Sequence, residues 1–504
     1  MRARTATSRR RLRSGSVARS TSSSSCSARF SRPAPNVPRV TSRDPLLMTA
    51  IAAGKVTRVG LQLLGRGATA LPGLVTLAMD PDAIARLSAT LGHGTVCVSG
   101  TNGKTTTTRM LSDIVRAAGW QPVHNRSGSN LDRGIAAALV ADATWGGELR
   151  GDVGVFEIDE ASVPRVLARL IPGVLVITNL FRDQLDRYFE IDALARRLGE
   201  AIGRLPDTTT LVLNADDPIV AFLATSHRGP LLTFGVDDRS VGGTVPQAIS
   251  DATRCPRCKS PLRYSRVILA HVGDWRCEHC GLERPRPDVS AAAVQLGPND
   301  SRLRLGGPVA SAMDDVVVPL PGLYNAYNAL AAIAAARALD IALSTAIRAL
   351  AGFKPAFGRL EIVEAEGRRL RLLLVKNPAG FNAAIGALLE TGRHPRILGA
   401  LNDRDADSRD VSWIWDADFE ALAPRVAHAT VTGLRARDLA LRFKYAGVPR
   451  ERVAVVAGWV PAIRAAIDGT PVGEELVVLA TYTAMLSLRD ALARLGFVGQ
   501  FWED

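Results

Sequence analysis

Two clusters in this 504-residue chain have residue types and spacings that do chemistry. The first is Ser99-Gly100-Thr101-Asn102-Gly103-Lys104-Thr105-Thr106, directly after the apolar run Thr95-Val96-Cys97-Val98. A glycine-rich turn between strand and helix aims backbone N–H groups at phosphate oxygens, a lysine neutralises β/γ charge, and a following threonine hydroxyl binds magnesium. The run therefore predicts a nucleoside triphosphate with Mg2+, although Val98 stands where the full phosphate-loop pattern has its first glycine. The second cluster is Cys255-Pro-Arg-Cys258 and Cys277-Glu-His-Cys280, two close pairs separated by eighteen residues. This is tetrathiolate Zn2+ spacing with no open coordination position, so the metal would staple an inserted ribbon. Two disulfides or redox-active pairs are the competing readings.

Composition says what carries these clusters. With 47% hydrophobic residues the chain can bury a large core and divide into two or three domains. The net charge of +13 suggests nucleic acid until it is located: residues 1–47 hold eleven arginines and one aspartate, leaving about +3 for the rest. That Arg/Ser-rich segment lacks apolar periodicity and is expected to be disordered. A transit peptide, a nucleic-acid-binding arm, or translation that starts at Met48 each fit it, and Met48 is favoured because periodicity begins there. No run is apolar for long enough to span a membrane and no signal-peptide core is present, which predicts a cytoplasmic protein with no transmembrane segment.

The elements that must position the phosphate loop follow from periodicity. After a helical, glycine-interrupted lead-in from 48 to about 91, strands are predicted at 94–99, 153–158, 173–178 and 209–213, with helices at 104–118, 131–141 and 191–204. Such alternation predicts an α/β domain with a parallel sheet covered on both faces. The cysteine ribbon, 252–283, interrupts it. Weak strands at 302–305 and 315–319 and a helix at 324–339 complete a first domain over 48–358. A second, smaller doubly wound domain is predicted over 359–504, with strands near 361–364, 369–375, 396–401, 427–432, 452–456 and 475–480. The cleft between the two would hold the ligand.

Six motifs in one order resemble the Mur ligase family: the loop Gly100 to Thr106, Glu157 in FEIDE, Thr178-Asn179 through Asp183, Gln184 and Asp186, Asn214 to Pro218, Gly322-Leu-Tyr-Asn325-Ala-Tyr-Asn328, and Phe357-Gly358-Arg359. The resemblance spans roughly 50–504. It implies a central ATP-binding domain and, with the ribbon and the segment 401–416, the branch that amidates the D-glutamate α-carboxylate of the lipid II stem peptide beside a GatD-like glutamine amidotransferase. Carried over, Gly100, Thr101, Asn102, Gly103, Lys104, Thr105 and Thr106 would hold the phosphates of ATP, and Thr105 with Glu157 the magnesium. Asn325 and Asn328 would hold the adenine, and Arg359 would face the phosphates from the hinge. Asn325 and Asn328 are i, i+3 on one helix face and carry amides that both donate and accept, helix capping being the competing reading. Glu157 ends an apolar strand, where a carboxylate needs a cation or hydrogen bonds.

Departures from the family pattern narrow the chemistry. Gln184 replaces the histidine of the second metal site in many Mur ligases, and no lysine that could be carbamylated occurs between Lys104 and Lys259. This argues against an amino-acid-adding ligase of the Mur or folylpolyglutamate type, the nearest alternative; a nucleic-acid-binding ATPase is the other. With four cysteines given to zinc, Cys97 inside a strand and Cys26 in the basic segment, no thiol is placed to hydrolyse glutamine, so nitrogen must come from ammonia or a partner. Segment 402–418 sets six aspartates around Trp413 and Trp415, and exposed tryptophans in such a loop suit an interface core, a solvated acidic loop over buried tryptophans being the competing reading. The resemblance implies that an aspartate here completes the partner's Cys-His pair; Asp410 is the first choice and Asp407 the second.

Overall fold

The computed structural model describes residues 44–499 except 65–69, 126–128, 182–189, 244–251, 298, 311–313, 355–358, 390–393, 405–406 and 408. The basic segment before Asp44 lies outside these residues, as do Asp183, Gln184, Asp186 and Gly358. Residues 44–47, which composition had grouped with that segment, belong to helix instead. Asp44 accepts the Leu46 N–H at 2.9 Å and caps α1 (Pro45–Leu63), with proline at the first helical position. α1 packs on α2 (Leu71–Met79), and α2 on the helix Asp132–Asp142.

The first domain is built on nine strands: β1 (Thr95–Ser99), β2 (Pro122–Val123), β3 (Val153–Glu157), β4 (Val174–Ile177), β5 (Thr210–Asn214), β6 (Leu231–Val236), then, beyond the ribbon hairpin of β7 (Arg263–Leu269) and β8 (Val272–Arg276), β9 (Val289–Leu296), β10 (Ser301–Gly306) and β11 (Asp315–Val318). Their order is β11-β10-β9-β6-β5-β4-β1-β3-β2. β1, β3, β4 and β5 are buried at every position, which explains why they read as unbroken apolar runs. The prediction of a parallel sheet holds from β2 to β9 but not beyond. β9, β10 and β11 form an antiparallel meander, whose alternation of buried and exposed residues marks a sheet with one wet face. The alanine-rich helix Leu323–Ala338 is buried along nearly its whole length against the helix Lys104–Ala117 and the sheet.

The second domain carries six strands, β12 (Arg359–Ala365), β13 (Arg368–Leu374), β14 (Arg396–Ala400), β15 (His428–Thr432), β16 (Val453–Val455) and β17 (Glu475–Ala480), in the order β12-β13-β17-β14-β15-β16. All neighbours are parallel except the β12–β13 edge hairpin. β1 lies between β3 and β4, so the chain leaves it at the point where strand order runs to either side, and the loop after β1 opens into the crevice that such sheets reserve for ligands. Among the described residues no helix is long and apolar enough to cross a membrane.

Candidate active site

The loop from β1 to the helix Lys104–Ala117 adopts its path because of two glycines. Gly100 has φ +133° and Gly103 φ +85°, a region that side chains avoid. A Cβ on Gly100 would lie 2.3 Å from Thr178 Oγ1, and one on Gly103 would lie 2.0 Å from Asn328 Oδ1. The chain after β4 clamps the loop: the Asn102 N–H donates to Asn179 Oδ1 at 2.9 Å, and Thr178 Oγ1 and Asn179 Nδ2 donate to the Asn102 carbonyl at 2.8 and 3.0 Å. Thr178 and Asn179 thus act as a brace that leaves the loop's remaining N–H groups for a ligand. The side chain of Thr106 is buried one turn behind the loop.

Lys104 is buried, with Nζ donating to Glu160 Oε2 at 2.8 Å and to the carbonyls of Gly100 and Thr101. Burial disfavours its charge, but Glu160 outweighs this and holds the pKa above the usual lysine value. Thr105 Oγ1 donates to Glu157 Oε2 at 2.6 Å. Two oxygens this close suit adjacent positions on one Mg2+, since octahedral ligands at about 2.1 Å stand about 3 Å apart. Glu157 is held in place by Asn125, which accepts from the Glu157 N–H at 2.9 Å and donates to its carbonyl at 2.8 Å. Next to this pair, burial and then the Glu160 charge raise the Asp159 carboxyl above its usual range, with Lys104 and Lys376 opposing.

Lys376 and Asn377 belong to the second domain, and they bring it onto the loop. Asn377 Nδ2 donates to Asn102 Oδ1 at 3.3 Å, while Asn377 Oδ1 accepts the Gly380 N–H at 2.8 Å in the first turn of the helix Pro378–Leu389. Asn325 and Asn328 are brought together as expected, but both are buried. Asn328 Nδ2 donates to Asn325 Oδ1 at 3.2 Å, and Asn325 Nδ2 to the Pro321 carbonyl at 2.8 Å. Arg359 opens β12 at the hinge, and its side chain lies outside the described residues. Glu160, Asn125, Lys376 and Asn377 escaped the sequence reading. Only Glu160 had a local signal, as the third carboxylate of the FEIDE run.

The ribbon is a second, separate centre. The sulfurs of Cys255, Cys258, Cys277 and Cys280 all lie within 4.8 Å of one another, with 3.6 Å between Cys255 and Cys280 and 3.5 Å between Cys258 and Cys277. A tetrahedral Zn2+ with Zn–S of about 2.3 Å sets sulfurs about 3.8 Å apart, so the four fit that metal. Hydrogen bonds from Ser260 lower the Cys258 thiol to about 5, and burial pushes Cys255 up to about 12.

The tip of the β7–β8 hairpin reaches into the first domain. His271 is buried with Nε2 3.3 Å from Asp217 Oδ2, and its ring lies 4.7 Å from Phe181. Asp217 also accepts the Leu180 N–H at 2.9 Å, and the Phe181 N–H donates to Thr101 Oγ1 at 3.0 Å. Asp216 gathers Arg284 Nε at 2.6 Å, Tyr327 Oη at 2.6 Å and the Val236 N–H at 2.8 Å. Burial nevertheless raises its pKa.

In segment 402–418 the two tryptophans part. Trp413 is 2% exposed and packs edge-on to Phe381, so the expectation of a surface tryptophan is corrected: its ring fills the core behind the 3-10 turn Ser412–Trp415. Trp415 is 46% exposed, with the Arg442 guanidinium over its ring at 5.5 Å. Asp407 is buried and accepts the Thr483 N–H at 2.6 Å as well as the Thr483 hydroxyl, at the start of the helix Tyr482–Arg494. Asp410 is half-buried and accepts the Ser412 N–H at 2.8 Å.

A glycine-rich loop at the sheet's switch point, the Thr105 hydroxyl on the Glu157 carboxylate beside it and a second α/β unit in contact with the loop have the form of an ATP-dependent ligase of the Mur type. Residues 98–253 match the Mur ligase middle domain and residues 374–485 the MurT ligase C-terminal domain. The chain is 34% identical over 447 residues to the lipid II isoglutaminyl synthase (glutamine-hydrolyzing) subunit MurT of Streptococcus pneumoniae, covering 88% of this chain and 96% of that one. It is 34% identical over 410 residues to the same subunit of Staphylococcus aureus, covering 79% and 88%. A pseudomurein peptide ligase type C from Methanothermus fervidus shares the fold, with a TM-score of 0.63 and 23% identity over 84% of each chain. The chain belongs to the MurT family of Mur ligases.

Proposed function

We propose that this chain activates the D-glutamate α-carboxylate of the lipid II stem peptide with ATP, and that ammonia from a GatD-like glutamine amidotransferase subunit converts it to D-isoglutamine. What supports the reading is the pairing of the glycine-rich loop, with Lys104 and the Thr105–Glu157 contact, and the lack of a usable thiol among the described residues. Among the described cysteines, four form the metal cluster, and Cys97 is fully buried with its thiol pushed far above the usual value. The described residues therefore offer an activating site without a glutaminase thiol, and the Streptococcus pneumoniae and Staphylococcus aureus relatives are each named as one subunit of a glutamine-hydrolyzing enzyme.

The reaction has two steps. A substrate carboxylate oxygen attacks the γ-phosphorus, the bond to the β/γ-bridging oxygen breaks, and ADP leaves. Ammonia then adds to the carbonyl carbon of the acyl phosphate, loses a proton, and phosphate is expelled as the amide forms. Lys104 and the loop amides stabilise charge on the transferring group. Thr105 and Glu157 would hold Mg2+, which would supply further charge neutralisation at the triphosphate. Asn325 and Asn328 position the adenine side, and Arg359 faces the phosphates across the hinge. The Asn102–Asn377 contact closes the second domain over the loop, where water would otherwise hydrolyse the acyl phosphate. Asp410, half-buried just before the 3-10 turn Ser412–Trp415, orients the histidine of the partner's Cys-His pair.

Co-expression with a candidate glutaminase tests the reading. Co-purification of the pair, and an ATP- and glutamine-dependent fall in lipid II mass of the size that exchanging OH for NH2 gives, is the expected result. Incorporation of an amino acid in place of ammonia would overturn it.

A further inference from the structure

The first two helices are apolar on both sides. α1 buries Leu47, Ala50, Ile51 and Gly54 against its neighbours. Its opposite side carries Leu46, Val56, Val59 and Leu63, and of these Val56 is 64% and Leu63 83% exposed. At 100° per residue these positions, with Thr49, Ala52, Ala53 and Gly60 between them, span a sector of about 140° without one charge. α2 repeats the arrangement, burying Gly73, Thr76 and Leu77 while exposing Leu71 and Leu74. The two helices meet where the Thr76 hydroxyl lies against Gly54 and Ala50. An exposed uncharged surface carried by two packed helices is beyond the scattered apolar residues of an ordinary soluble surface.

Its border is basic and aromatic. Lys55 sits at the edge of the α1 sector, burial and then the nearby Arg150 and Arg58 charges lower its pKa, its Nζ lies 5.6 Å from the centre of the Trp145 ring, and Trp145 is itself largely exposed. No acidic residue occurs between Asp44 and Asp80. An apolar face bordered by cations and an exposed tryptophan is the composition of a surface that lies in a lipid interface, its apolar side chains among acyl chains and its cations at anionic headgroups.

We propose that the outer faces of α1 and α2 dock this chain onto an anionic lipid bilayer. This rests on the reading that the substrate is lipid-linked: docking then holds the crevice beside the layer in which that substrate is anchored, which raises its local concentration without any added contact to the peptide.

Flotation of the purified full chain with vesicles of phosphatidylcholine and phosphatidylglycerol, with no lipid II present, tests it. The chain is expected to float, and the Val56→Asp/Val59→Asp variant to lose at least tenfold in vesicle partitioning while keeping its thermal midpoint and its ammonia-driven amidation of a soluble, lipid-free substrate peptide. Flotation equal to the parent's would overturn the proposal and assign the binding to the arginine-rich segment or another face. A parent that stays off vesicles but sediments as a dimer dissolved by the variant would overturn it in favour of a second copy, and one whose glutaminase binding the variant abolishes would overturn it in favour of the partner. Because flotation needs no turnover, its failure is distinct from a failure to amidate.

Discussion

Asp407 and Asp410 lie three residues apart and read alike in the sequence, yet their surroundings assign them different work. Asp407 is 2% exposed and takes the Thr483 N–H at 2.6 Å, the Thr483 hydroxyl and the Arg404 N–H at 3.3 Å, so it caps the helix Tyr482–Arg494 from far along the chain. Removing a charged acceptor from such donors costs about 1.5–3 kcal/mol, and the lost attraction to the helix terminus adds about 0.3–1 kcal/mol. Asp407→Ala should therefore destabilise the second domain by about 2–4 kcal/mol, a fall in Tm on the order of 5–15 °C for a domain of this size. Asp410→Asn keeps an oxygen for the Ser412 N–H, and a surface change of this kind stays within about 0.5 kcal/mol. If Asp410 orients the partner's histidine, that variant loses about 10²- to 10⁴-fold in glutamine-driven amidation and keeps its rate with ammonium chloride. The assay is lipid II amidation with each nitrogen source beside a thermal melt. Equal losses with both sources refute the role of Asp410, and an unchanged Tm for Asp407→Ala refutes the cap.

Three further outcomes follow from the site. Lys104→Met should lower ammonia-driven amidation by about 10²- to 10³-fold while a pull-down with the glutaminase is unaffected, since the missing ammonium acts on the transferring phosphoryl group; retained turnover refutes the assignment. The parent should carry one zinc per chain by atomic absorption, and Cys277→Ser should lose it and lower the urea midpoint, since a structural metal contributes folding free energy; a variant with the parent's full zinc content would sink the tetrathiolate site. The raised pKa of Asp159 makes the folded chain bind that proton more tightly than the unfolded one, so its burial weakens the fold as pH climbs from the ordinary value of 3.8 through the raised one. Asp159→Asn should therefore match the parent near pH 4 and gain Tm over it toward neutrality, and a constant difference across that range refutes the linkage.

What the sequence revealed was local. The loop Gly100 to Thr106, the fully buried strands β1, β3, β4 and β5 and the cysteine pairs are each specified by a few adjacent residues, and each was legible. β6 and β9 were missed because β6 begins with two solvent-touched leucines and β9 mixes alanines with exposed positions, so neither offers a clean period. The meander of β9, β10 and β11 follows from pairing partners that no local pattern names. The same holds for the site: Lys104 and Thr105 announce a phosphate loop, but Glu160 joins Lys104 only after β3 lies beside β1, and Asn377 meets Asn102 across 275 positions of chain. Trp413 misled for a related reason, since its acidic neighbours described the loop's surface while the indole faced inward.

The ribbon gains a role from this geometry that its spacing alone did not supply. The Cys255–Cys258 and Cys277–Cys280 turns meet in a cluster that fits zinc, but the hairpin between them is what enters the first domain, and its tip carries a histidine into a fully buried position. There His271 packs on Phe181 and faces Asp217, Asp217 holds the Leu180 N–H, and Phe181 exchanges hydrogen bonds with the Thr101 hydroxyl inside the phosphate loop. A buried carboxylate and imidazole are costly unless the surrounding backbone is fixed, and here that backbone is the 214–218 turn and the chain leaving β4, the same segment that braces Asn102. The ribbon is thereby linked to the loop after β1 through His271, Phe181 and Thr101. A tetrathiolate site would suit that link, because its closed coordination shell would leave the hairpin's anchorage independent of any further ligand.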